Sequence, residues 1–511
     1  MEKATKISPS ISQEMSSAKK GVIVDSHADI GLKYLVENGT VDFLPEEECG
    51  VRWKIDLHFL PILAISFGLQ YLDKVTISYA AVYNMREDLN LVGQEYSWAN
   101  SLFYFGYLVG EFPANYLMHK LPIGKFAAIN TLVWGVLVML CAVVKNFAGL
   151  AALRFLMGVF EACIGPCWVQ LTGMFYKADE QGARVAIWYS MVGFAAIIGG
   201  LMSYGIGHIK SIAVSEWQFV FLVCGGFTVL WAFVIWFFLP ESPADAKFLS
   251  QREKSIAVER LRSNRTGLKA TKFKWSQALE ALKDPQCWLF AFWTGVSNIL
   301  NIGGSFLPLI IQNMGFTGLT TTLLTLPVGG VEIVAMAAAA ILSSSFTPNG
   351  RTPIMFLIAT PTLVGTIILL VCPQSSTWAR CAAVWLLLCI PAAYALLLSL
   401  ITTNVAGTSK KATTTLMVFV FFCIGNIVSP QLFRAPEAPE YGTALRSLVV
   451  SAVLVQLLTI ALGLYYFFQN IRRDKLVANL SEAELAESTI ENEEFLDRTD
   501  QEDWIRFRYR W

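Results

Sequence analysis

Long apolar stretches separated by short polar connections dominate the chain from about residue 58 onward. Each stretch is about 20 residues or longer, the length of helix that crosses a hydrocarbon core about 30 Å thick. Because unpaired backbone groups are costly in lipid, such spans must be helical. The twelve spans fall at 58–82, 97–118, 126–145, 148–175, 184–208, 218–239, 287–312, 319–345, 353–373, 379–403, 413–434 and 445–469. The pattern predicts an all-α integral membrane protein with twelve transmembrane helices.

One connection differs from the others because it is long and basic. It covers residues 240–286 and carries ten Lys and Arg side chains. Six spans precede it within 58–239 and six follow within 287–469, with polar tails at 1–57 and 470–511. Two sets of six helices around a long loop predict two six-helix bundles with a binding site between them.

The Lys and Arg residues of the short connections predict the orientation. Connections on the side of the central loop carry Lys120, Lys125, Lys177, Arg351, Lys410 and Lys411. The opposite connections carry fewer basic residues, among them Arg86, Lys145, Lys210 and Arg380. Since basic residues accumulate on the cytoplasmic side, both termini and the central loop are expected to be cytoplasmic. The polar first fifty residues lack the features of a removable signal peptide.

Composition narrows the functional classes. Only 15% of residues are charged and 55% are hydrophobic, whereas soluble proteins carry about 25% charged residues. The net charge is zero, so nucleic acid is not an expected partner. Ten cysteines lie mostly in apolar stretches without paired metal-ligand spacing to the four histidines. With no nucleophile elbow or phosphate loop, we expect neither an enzyme nor a metal or cofactor.

Four charged residues lie inside predicted spans, where an unpaired charge costs about 2.5–3.5 kcal/mol. Asp73 and Lys74 are in the first span, and Arg154 and Glu161 are in the fourth. A separation of seven residues puts Arg154 and Glu161 on one helix face. Two acids and two bases balance in charge, which favours a shared polar cavity over exposure to lipid.

These four charges have two interpretations. They either tie helices together as ion pairs or form a proton-coupled anion site. In the second case each cation of the empty site is paired with an acid, and protonation of Asp73 or Glu161 releases Lys74 or Arg154 to bind a carboxylate. Asp73 and Glu161 are then the proton-coupling residues, and Lys74 and Arg154 bind the substrate.

Other polar residues inside the spans are weaker candidates. Tyr107, Glu111 and Asn115 recur every four residues and therefore share one face of the second span, which lines a cavity or contacts other helices. Polar residues in the later spans either contact substrate or form interhelical hydrogen bonds. The possible cavity residues are Glu111, Asn298, Asn301, Gln312 and Glu332.

The segments around these residues resemble a known family. They include YLDKVTISYA, YSWANSLFYFGYLVGEFPANYL, NFAGLAALRFLMGVFEACIGP, FLPESP, TNVAGTSKKATTT, GNIVSPQLF and FLDRTDQEDWIRFRY. In this order the series resembles the major facilitator superfamily, its anion:cation symporter family and, within that, the fungal allantoate permease group. The resemblance implies twelve helices in two six-helix halves, alternating access and proton symport of organic anions.

The resemblance also implies residue roles. The acids fall on Asp73 and Glu161 and the bases on Lys74 and Arg154, while the tyrosine that lines the family's cavity falls on Tyr107. Where bacterial relatives have polar ligands in helices 5 and 11, this chain has Gly193 and Phe419, so those substrate contacts do not transfer.

The resemblance leaves the substrate open. A carboxylate such as allantoate or ureidosuccinate is expected first, and nicotinate, pantothenate, biotin or cysteine are alternatives. A further alternative is a non-transporting nutrient sensor that recruits partners through the acidic tail between Glu482 and Asp503. We expect a monomer in the plasma membrane whose partners are the organic anion, protons and lipid.

Overall fold

The computed structural model describes residues 43–118, 120–209, 214–261, 273–302, 305–345, 350–480 and 498–511. Within these ranges the chain is helical and forms no strand. The acidic tail of the sensor alternative lies outside the described residues up to position 497. The predicted all-α architecture is confirmed.

Twelve helical spans lie in the described ranges, and five of them consist of two consecutive helices. They are α1 (Leu60–Val82), α2 (Glu95–Met118), α3 (Ile123–Leu140), α4 (Phe147–Glu161 and Ile164–Phe175), α5 (Ala178–Tyr189 and Met191–Ile206), α6 (Glu216–Phe238), α7 (Pro285–Ile299 and Leu307–Gln312), α8 (Gly318–Leu324 and Leu326–Ser345), α9 (Arg351–Val371), α10 (Thr377–Leu386 and Ile390–Asn404), α11 (Thr408–Gln431) and α12 (Gly442–Ala478). The first half comprises α1–α6 and the second half α7–α12.

Shorter helices connect or precede these spans. They are the α-helices Pro45–His58, Met85–Asp88, Gln251–Glu259 and Trp275–Lys283, and the 3-10 turns Cys141–Val143, Pro243–Asp245, Leu387–Cys389 and Ala435–Glu437. Helix Pro45–His58 begins inside the stretch that the sequence pattern assigned to a polar tail. Its three acids Glu46, Glu47 and Glu48 occupy the first turn, where they complement the helix dipole.

Ten of the twelve spans are long and apolar enough, by length and composition, to cross a bilayer. The two others in the described part of the chain are α2 and α7. Helix α2 contains polar residues such as Asn100, Glu111 and Asn115. Helix α7 is interrupted between Ile299 and Leu307, although its hydrophobic pattern predicted one continuous span. Asn301 lies in this interruption, and its side chain donates a hydrogen bond to Asn426 of α11.

Each half packs internally, and the halves meet mainly along two helix pairs, with a smaller contact of α1 against α7 and α8. Helix α3 packs against α6 and α2 against α4 in the first half, while α7 packs against α11 and α9 against α12 in the second. Between the halves, α5 contacts α8 and α2 contacts α11. At the α5–α8 crossing, a Cβ atom on Gly329 would lie 2.3 Å from the carbonyl oxygen of Gly193, so these backbones approach too closely for a side chain.

The segments that connect the helices lie on two opposite faces of the bundle, here called the tail face and the loop face. The tail face carries helices Pro45–His58, Gln251–Glu259 and Trp275–Lys283 together with residues 498–511, and the loop face carries the α1–α2, α7–α8 and α11–α12 connections. The halves are joined near the loop face. Tyr96 Oη donates to the Ser305 carbonyl at 2.6 Å, and Gln431 Nε2 donates to Ser101 Oγ at 2.9 Å.

At the tail face, the ion pairs of the described residues lie within one half or its adjoining connections. Arg184 of α5 pairs with Asp56 at 2.8 Å in the first half. Lys410 of α11 contacts Asp284 at 2.6 Å in the second half. The hydrogen bonds that join the two halves are therefore concentrated at the loop face, which is closed.

The C-terminal residues 498–511 fold back against the second half. Asp500 Oδ1 lies 2.7 Å from the buried ammonium of Lys410, at the start of α11. Arg473 of α12 donates to Tyr509 Oη at 2.9 Å, and Asn404 at the end of α10 donates to the Arg510 carbonyl at 2.7 Å. This segment therefore joins the tail-face ends of three spans.

Candidate functional site

A small cavity lies where the two halves meet. Its walls come from α1, α2 and α4 of the first half and from α7 and α11 of the second. It is lined by Lys74, Asn100, Phe103, Tyr104, Arg154, Asn301, Ser305, Asn426, Ser429 and Pro430. Its volume of about 20 Å³ is room for one water molecule and too small for an organic acid. The site is therefore closed around its polar side chains in this conformation.

Lys74 and Glu161 form an ion pair at the edge of this cavity. The Lys74 ammonium lies 3.0 Å from Glu161 Oε1; the acid side chain is fully buried, whereas the lysine side chain is 20% exposed. The same ammonium lies 5.1 Å from the ring centre of Tyr107 and 5.8 Å from that of Phe103, within the range of cation–π attraction. The sequence placed Lys74, Tyr107 and Glu161 among the site residues, and the structure brings these three together.

Arg154 lies in the same cavity without an acidic partner. Its exposed fraction is 1%, and no carboxylate of the described residues lies within ion-pair distance of its guanidinium. Its Nε and Nη2 atoms make no hydrogen bond within the described part of the chain. The expectation that every cation is paired with an acid is correct for Lys74 and wrong for Arg154. A buried guanidinium with unsatisfied donors is energetically costly unless an anion compensates its charge.

Close packing of α2 and α4 fixes Arg154 at the cavity. A Cβ atom on Gly106 would lie 1.9 Å from the Phe155 carbonyl oxygen, and one on Gly158 would lie 2.0 Å from that of Phe103. Only glycine permits these two backbones to approach so closely. Arg154 precedes Phe155 directly, so this contact holds its backbone beside α2.

Asp73 points away from the cavity. Successive residues of a helix differ by about 100° in direction, so Asp73 and Lys74 face different neighbours. The Asp73 side chain is fully buried inside the first half, where Thr228 of α6 donates a hydrogen bond to Oδ2 at 2.7 Å. Its Oδ1 has no hydrogen-bond partner among the described residues. Asp73 therefore lies on a different side of α1 from Lys74 and does not line the cavity, although its charge still interacts with those of Arg154 and Glu161.

Of the weaker candidates predicted from the sequence, Asn301 lines the cavity, whereas Glu111 and Gln312 lie outside it. Glu111 is buried and accepts a hydrogen bond from Asn115 at 3.0 Å, one turn beyond Tyr107 toward the tail face. Gln312 donates to the Val82 carbonyl at 3.3 Å near the loop face and belongs to the contact between the halves. Of the predicted residues in the second half, Asn301 lines the cavity.

Glu332 lies on α8 beside the contact with α5. It is 1% exposed, and neither carboxylate oxygen has a hydrogen-bond partner in the part of the chain that the structure describes. Its carboxyl group is within electrostatic range of Tyr71 of α1, Tyr189 of α5 and Cys389. Glu332 is not among the residues that line the cavity.

Asn301 and Asn426, which line the cavity from the second half, belong to a chain of three amides with Asn298. Asn301 Nδ2 donates to Asn426 Oδ1 at 3.1 Å, and Asn426 Nδ2 donates to Asn298 Oδ1 at 2.9 Å. Asn426 and Asn100 are cavity or wall residues that the sequence analysis missed. Asn426 lies in the apolar GNIVSP stretch, so the criterion that selected Asn298 would have found it as well. Among the described residues, no three His, Cys, Asp or Glu side chains cluster as metal ligands.

Comparisons with known proteins agree with this architecture. The model of the Major Facilitator Superfamily matches residues 63–430. An uncharacterized transporter of Schizosaccharomyces pombe is 44% identical over 477 residues, which cover 93% of this chain and 89% of that protein. The allantoate permease of Saccharomyces cerevisiae is 34% identical over 514 residues, covering 98% and 93%. A thiamine pathway transporter of the same yeast is 30% identical over 469 residues, covering 88% and 89%.

Solved structures share the fold at low sequence identity. An inward-facing bacterial homologue of the lysosomal transporter Spinster superimposes with a TM-score of 0.60 at 15% identity, over 83% of this chain and 97% of that one. A D-xylose–proton symporter superimposes with a TM-score of 0.60 at 13% identity, over 78% and 97%. At these identities the likeness concerns the fold alone.

Proposed function

Because the chain belongs to the Major Facilitator Superfamily, we propose that it is a proton-coupled symporter that imports a small organic anion by alternating access. The observation that carries the proposal is the unpaired guanidinium of Arg154 in a cavity between the halves. A buried charge without a counterion is costly, and a carboxylate provides two acceptors in the geometry of the guanidinium fork. Arg154 is therefore the primary anion-binding residue of this proposal.

Lys74 and Glu161 supply the coupling to protons in this mechanism. While Glu161 is ionised, its carboxylate holds the Lys74 ammonium at 3.0 Å. A proton on Glu161 removes that attraction and frees Lys74 to join Arg154 at the bound carboxylate. Proton binding and anion binding then favour one another, which is the thermodynamic condition for symport.

Asp73 has a separate place in the mechanism because it faces α6. Its contact with Thr228 lies inside the first half, so its protonation acts on the packing of α1 against α6 and, through its charge, on Arg154. We assign it the second proton-coupling position. Tyr107 supports Lys74 through its ring, whose centre lies 5.1 Å from the ammonium.

Coupling to protons supplies the driving force that uptake of an anion requires. Moving one negative charge inward against 100 mV costs about 2.3 kcal/mol. One co-transported proton cancels this charge, and a pH difference of two units contributes about 2.7 kcal/mol. This driving force permits the substrate concentration inside to exceed that outside by about two orders of magnitude.

Alternating access requires the contacts at the loop face to break. The present conformation is closed there by the Tyr96–Ser305 and Gln431–Ser101 hydrogen bonds and by Gln312 against α1. In the opposite state these bonds are replaced by water, and the tail face closes instead. We propose that the tail face is cytoplasmic, since Lys120, Lys125 and other basic residues lie there. An importer of this kind acts in the plasma membrane.

The substrate class follows from the cations and from the relatives. We propose a ureido acid such as allantoate or ureidosuccinate, in line with the allantoate permease among the relatives. The thiamine pathway transporter at 30% identity keeps vitamin-related acids as a second candidate. A nutrient sensor on the same scaffold would bind the acid without accumulating it.

Uptake into proteoliposomes tests the function. Purified protein is given a panel of radiolabelled carboxylic acids with and without an inward proton gradient, and the wild type is compared with Asp73→Asn and Glu161→Gln. We expect gradient-driven accumulation in the wild type and its loss in both variants, with counterflow retained in at least one. Binding without accumulation would favour the sensor, and normal accumulation by both variants would overturn the coupling assignment.

A further inference from the structure

The connection between the two halves contains a short helix whose exposed side is apolar. Helix Trp275–Lys283 exposes Trp275, Leu279 and Leu282, with exposed fractions of 74%, 53% and 47%. These residues are spaced i, i+4 and i+7, so they form one stripe, here called the apolar stripe. The sequence pattern placed this helix in the basic loop 240–286, which was expected to lie in the cytoplasm. A water-filled cytoplasm does not account for three large apolar side chains side by side on its surface.

The helix is divided along its length into three sectors. At about 100° per residue, the apolar stripe covers about 60° of the circumference. The sector on one side of it contains the exposed residues Ser276 and Lys283. The sector on the other side contains Gln277, Ala278 and Ala281, which are buried against the protein. One protein-facing, one polar and one exposed apolar sector are typical of a helix that lies in the plane of a membrane surface.

The buried sector holds the helix against the beginning of α11. Gln277 Oε1 accepts a hydrogen bond from the Ser409 backbone N–H at 3.1 Å, and the Lys274 backbone N–H donates to Ser409 Oγ at 2.9 Å. Glu280 Oε1 lies 2.9 Å from the Lys410 ammonium. These contacts fix the rotation of the helix about its axis, so the apolar stripe cannot turn toward the protein.

The apolar stripe continues onto the outer surface of α7. The indole N–H of Trp288, near the beginning of α7, donates to the Leu282 carbonyl at 2.8 Å. The ring centre of Trp288 lies 5.8 Å from that of Phe292, and these two residues are 37% and 47% exposed. Because α7 spans the membrane, this exposed aromatic surface faces lipid. The stripe therefore extends a lipid-facing surface to the depth at which tryptophan side chains prefer to lie, the lipid–water interface.

The exposed charges beside the apolar stripe are basic. The side chains of Lys274 and Lys283 are exposed at the two ends of the helix. The neighbouring acids Glu280 and Asp284 are directed instead to Lys410, at 2.9 and 2.6 Å. A lysine can lay its apolar stem along lipid and place its ammonium among the headgroups. The edge of the stripe is therefore complementary to phospholipids with a net negative charge.

We propose that helix Trp275–Lys283 lies in the lipid–water interface at the tail face and binds anionic phospholipids. The apolar stripe is at the boundary of the acyl chains, and Lys283 contacts the headgroups. This surface is separate from the cavity between the halves, because none of the cavity-lining residues belongs to the helix. The tail face is the one proposed above to be cytoplasmic, and the cytoplasmic leaflet is the anionic one.

The position of the stripe is measured on Trp275. The full chain is labelled with fluorotryptophan and reconstituted into phospholipid nanodiscs, and the Trp275 resonance is assigned by fluorine NMR as the one absent from Trp275→Phe. We expect phosphatidylcholine that carries a spin label near its glycerol to broaden this resonance strongly, and a water-soluble gadolinium chelate to broaden it weakly. Trp134 of α3 is fully buried, so its resonance, assigned with Trp134→Phe, should respond to neither reagent.

The preference for anionic lipid is measured with two headgroups. Phosphatidylserine and phosphatidylcholine carrying the same acyl-chain spin label are compared at equal label content in otherwise identical nanodiscs. We expect phosphatidylserine to broaden the Trp275 resonance at least about twofold more, as a basic side chain at an anionic surface predicts. Lys283→Gln should reduce this ratio toward one. Lys145→Gln is the matched control, because Lys145 is exposed in the α3–α4 connection at the opposite face, and it should keep the wild-type ratio.

Each contrary result overturns a stated part of the proposal. Stronger broadening of Trp275 by the gadolinium chelate than by spin-labelled lipid places the stripe in water and overturns its insertion. A response to neither reagent means that protein covers the stripe, for example a second copy of the chain, and overturns the lipid contact. Equal broadening by the two lipids overturns the anionic preference, and an unchanged ratio in Lys283→Gln overturns the role of that lysine. No measurement here uses a substrate, so these results are independent of the proposed transport function.

Discussion

The ammonium of Lys74 on α1 lies 3.0 Å from the carboxylate of Glu161 on α4, and the pair borders the cavity between the halves. The acid is fully buried, whereas the lysine is partly exposed toward the cavity. In the proposed mechanism, an anion that enters the cavity competes with Glu161 for Lys74. The outcome of this competition depends on whether Glu161 carries a proton.

Glu161→Gln should make anion binding independent of pH. In the wild type, affinity for the acid should fall as pH rises, because deprotonated Glu161 recaptures Lys74. The glutamine cannot ionise, so its affinity should equal that of the protonated wild type across pH 5 to 8. Binding titrations at several pH values measure this, with Glu111→Gln as a buried-acid control outside the pair. If the affinity of Glu161→Gln depends on pH as strongly as that of the wild type, the proposed role of Glu161 in proton coupling is wrong.

Arg154 should be required for binding through both its charge and its shape. We expect Arg154→Gln to lose about 2–5 kcal/mol of binding free energy, the usual cost of removing one member of a buried charge pair. Arg154→Lys keeps the charge but loses the bidentate fork, so an intermediate loss is expected. The dependence of counterflow on substrate concentration measures the apparent affinity of both variants.

A matched arginine variant tests the specificity of that loss. Arg184 pairs with Asp56 at the tail face, 2.8 Å apart and outside the cavity, so Arg184→Gln should leave affinity unchanged. Equal losses of affinity in Arg154→Gln and Arg184→Gln would show that Arg154 does not act by binding the substrate.

The contact between α5 and α8 should depend on Gly329. A Cβ atom there would lie 2.3 Å from the Gly193 carbonyl oxygen, whereas one on the neighbouring Gly330 would meet no atom within 4 Å. Gly329→Ala should therefore lower stability by about 1–3 kcal/mol through overpacking and reduce uptake. Gly330→Ala should be neutral or stabilising, since alanine favours helix. Thermal melting of the purified protein compares the two, and equal melting temperatures would refute the close contact.

Glu332 should tolerate loss of its charge better than inversion of it. The carboxylate is buried and unpartnered among the described residues, so a neutral side chain of the same shape requires no counterion there. We expect Glu332→Gln to keep near wild-type abundance and melting temperature, whereas Glu332→Lys should lower both. Fluorescence-detected size exclusion measures abundance. Severe loss in Glu332→Gln would indicate that the ionised form has a partner in another conformation.

The C-terminal segment should stabilise the second half through Asp500. Lys410 is fully buried and contacts Asp284, Asp500 and Glu280 at 2.6, 2.7 and 2.9 Å. Asp500→Ala removes one of these charged hydrogen bonds and should cost about 1.5–3 kcal/mol of stability. Asp503→Ala in the same segment is the control and should change the melting temperature little. Identical melting of the two variants would rule out a stabilising role for the Asp500 contact.

The number and class of the spans could be predicted because apolar length is a property of sequence alone. The interruption of α7 could not, because the residues around it are apolar enough to continue a span. In the folded chain the helix ends at Ile299, and the side chain of Asn301 beyond it is hydrogen-bonded to Asn426 on α11. Hydropathy reports preference for lipid and contains no information about hydrogen bonds between distant segments.

The sequence by itself determined that Lys74, Arg154 and Glu161 are charges inside membrane helices, since composition and helical spacing decide both points. Only the tertiary structure decided that Glu161 binds Lys74, that Arg154 is left without an acid, and that Asp73 turns toward Thr228. The tertiary structure also decided that amides of α7 and α11 line the same cavity as Lys74 and Arg154. The physical reason is that pairing depends on the distance and direction between side chains on different helices, and the spacing of residues along one helix does not specify either.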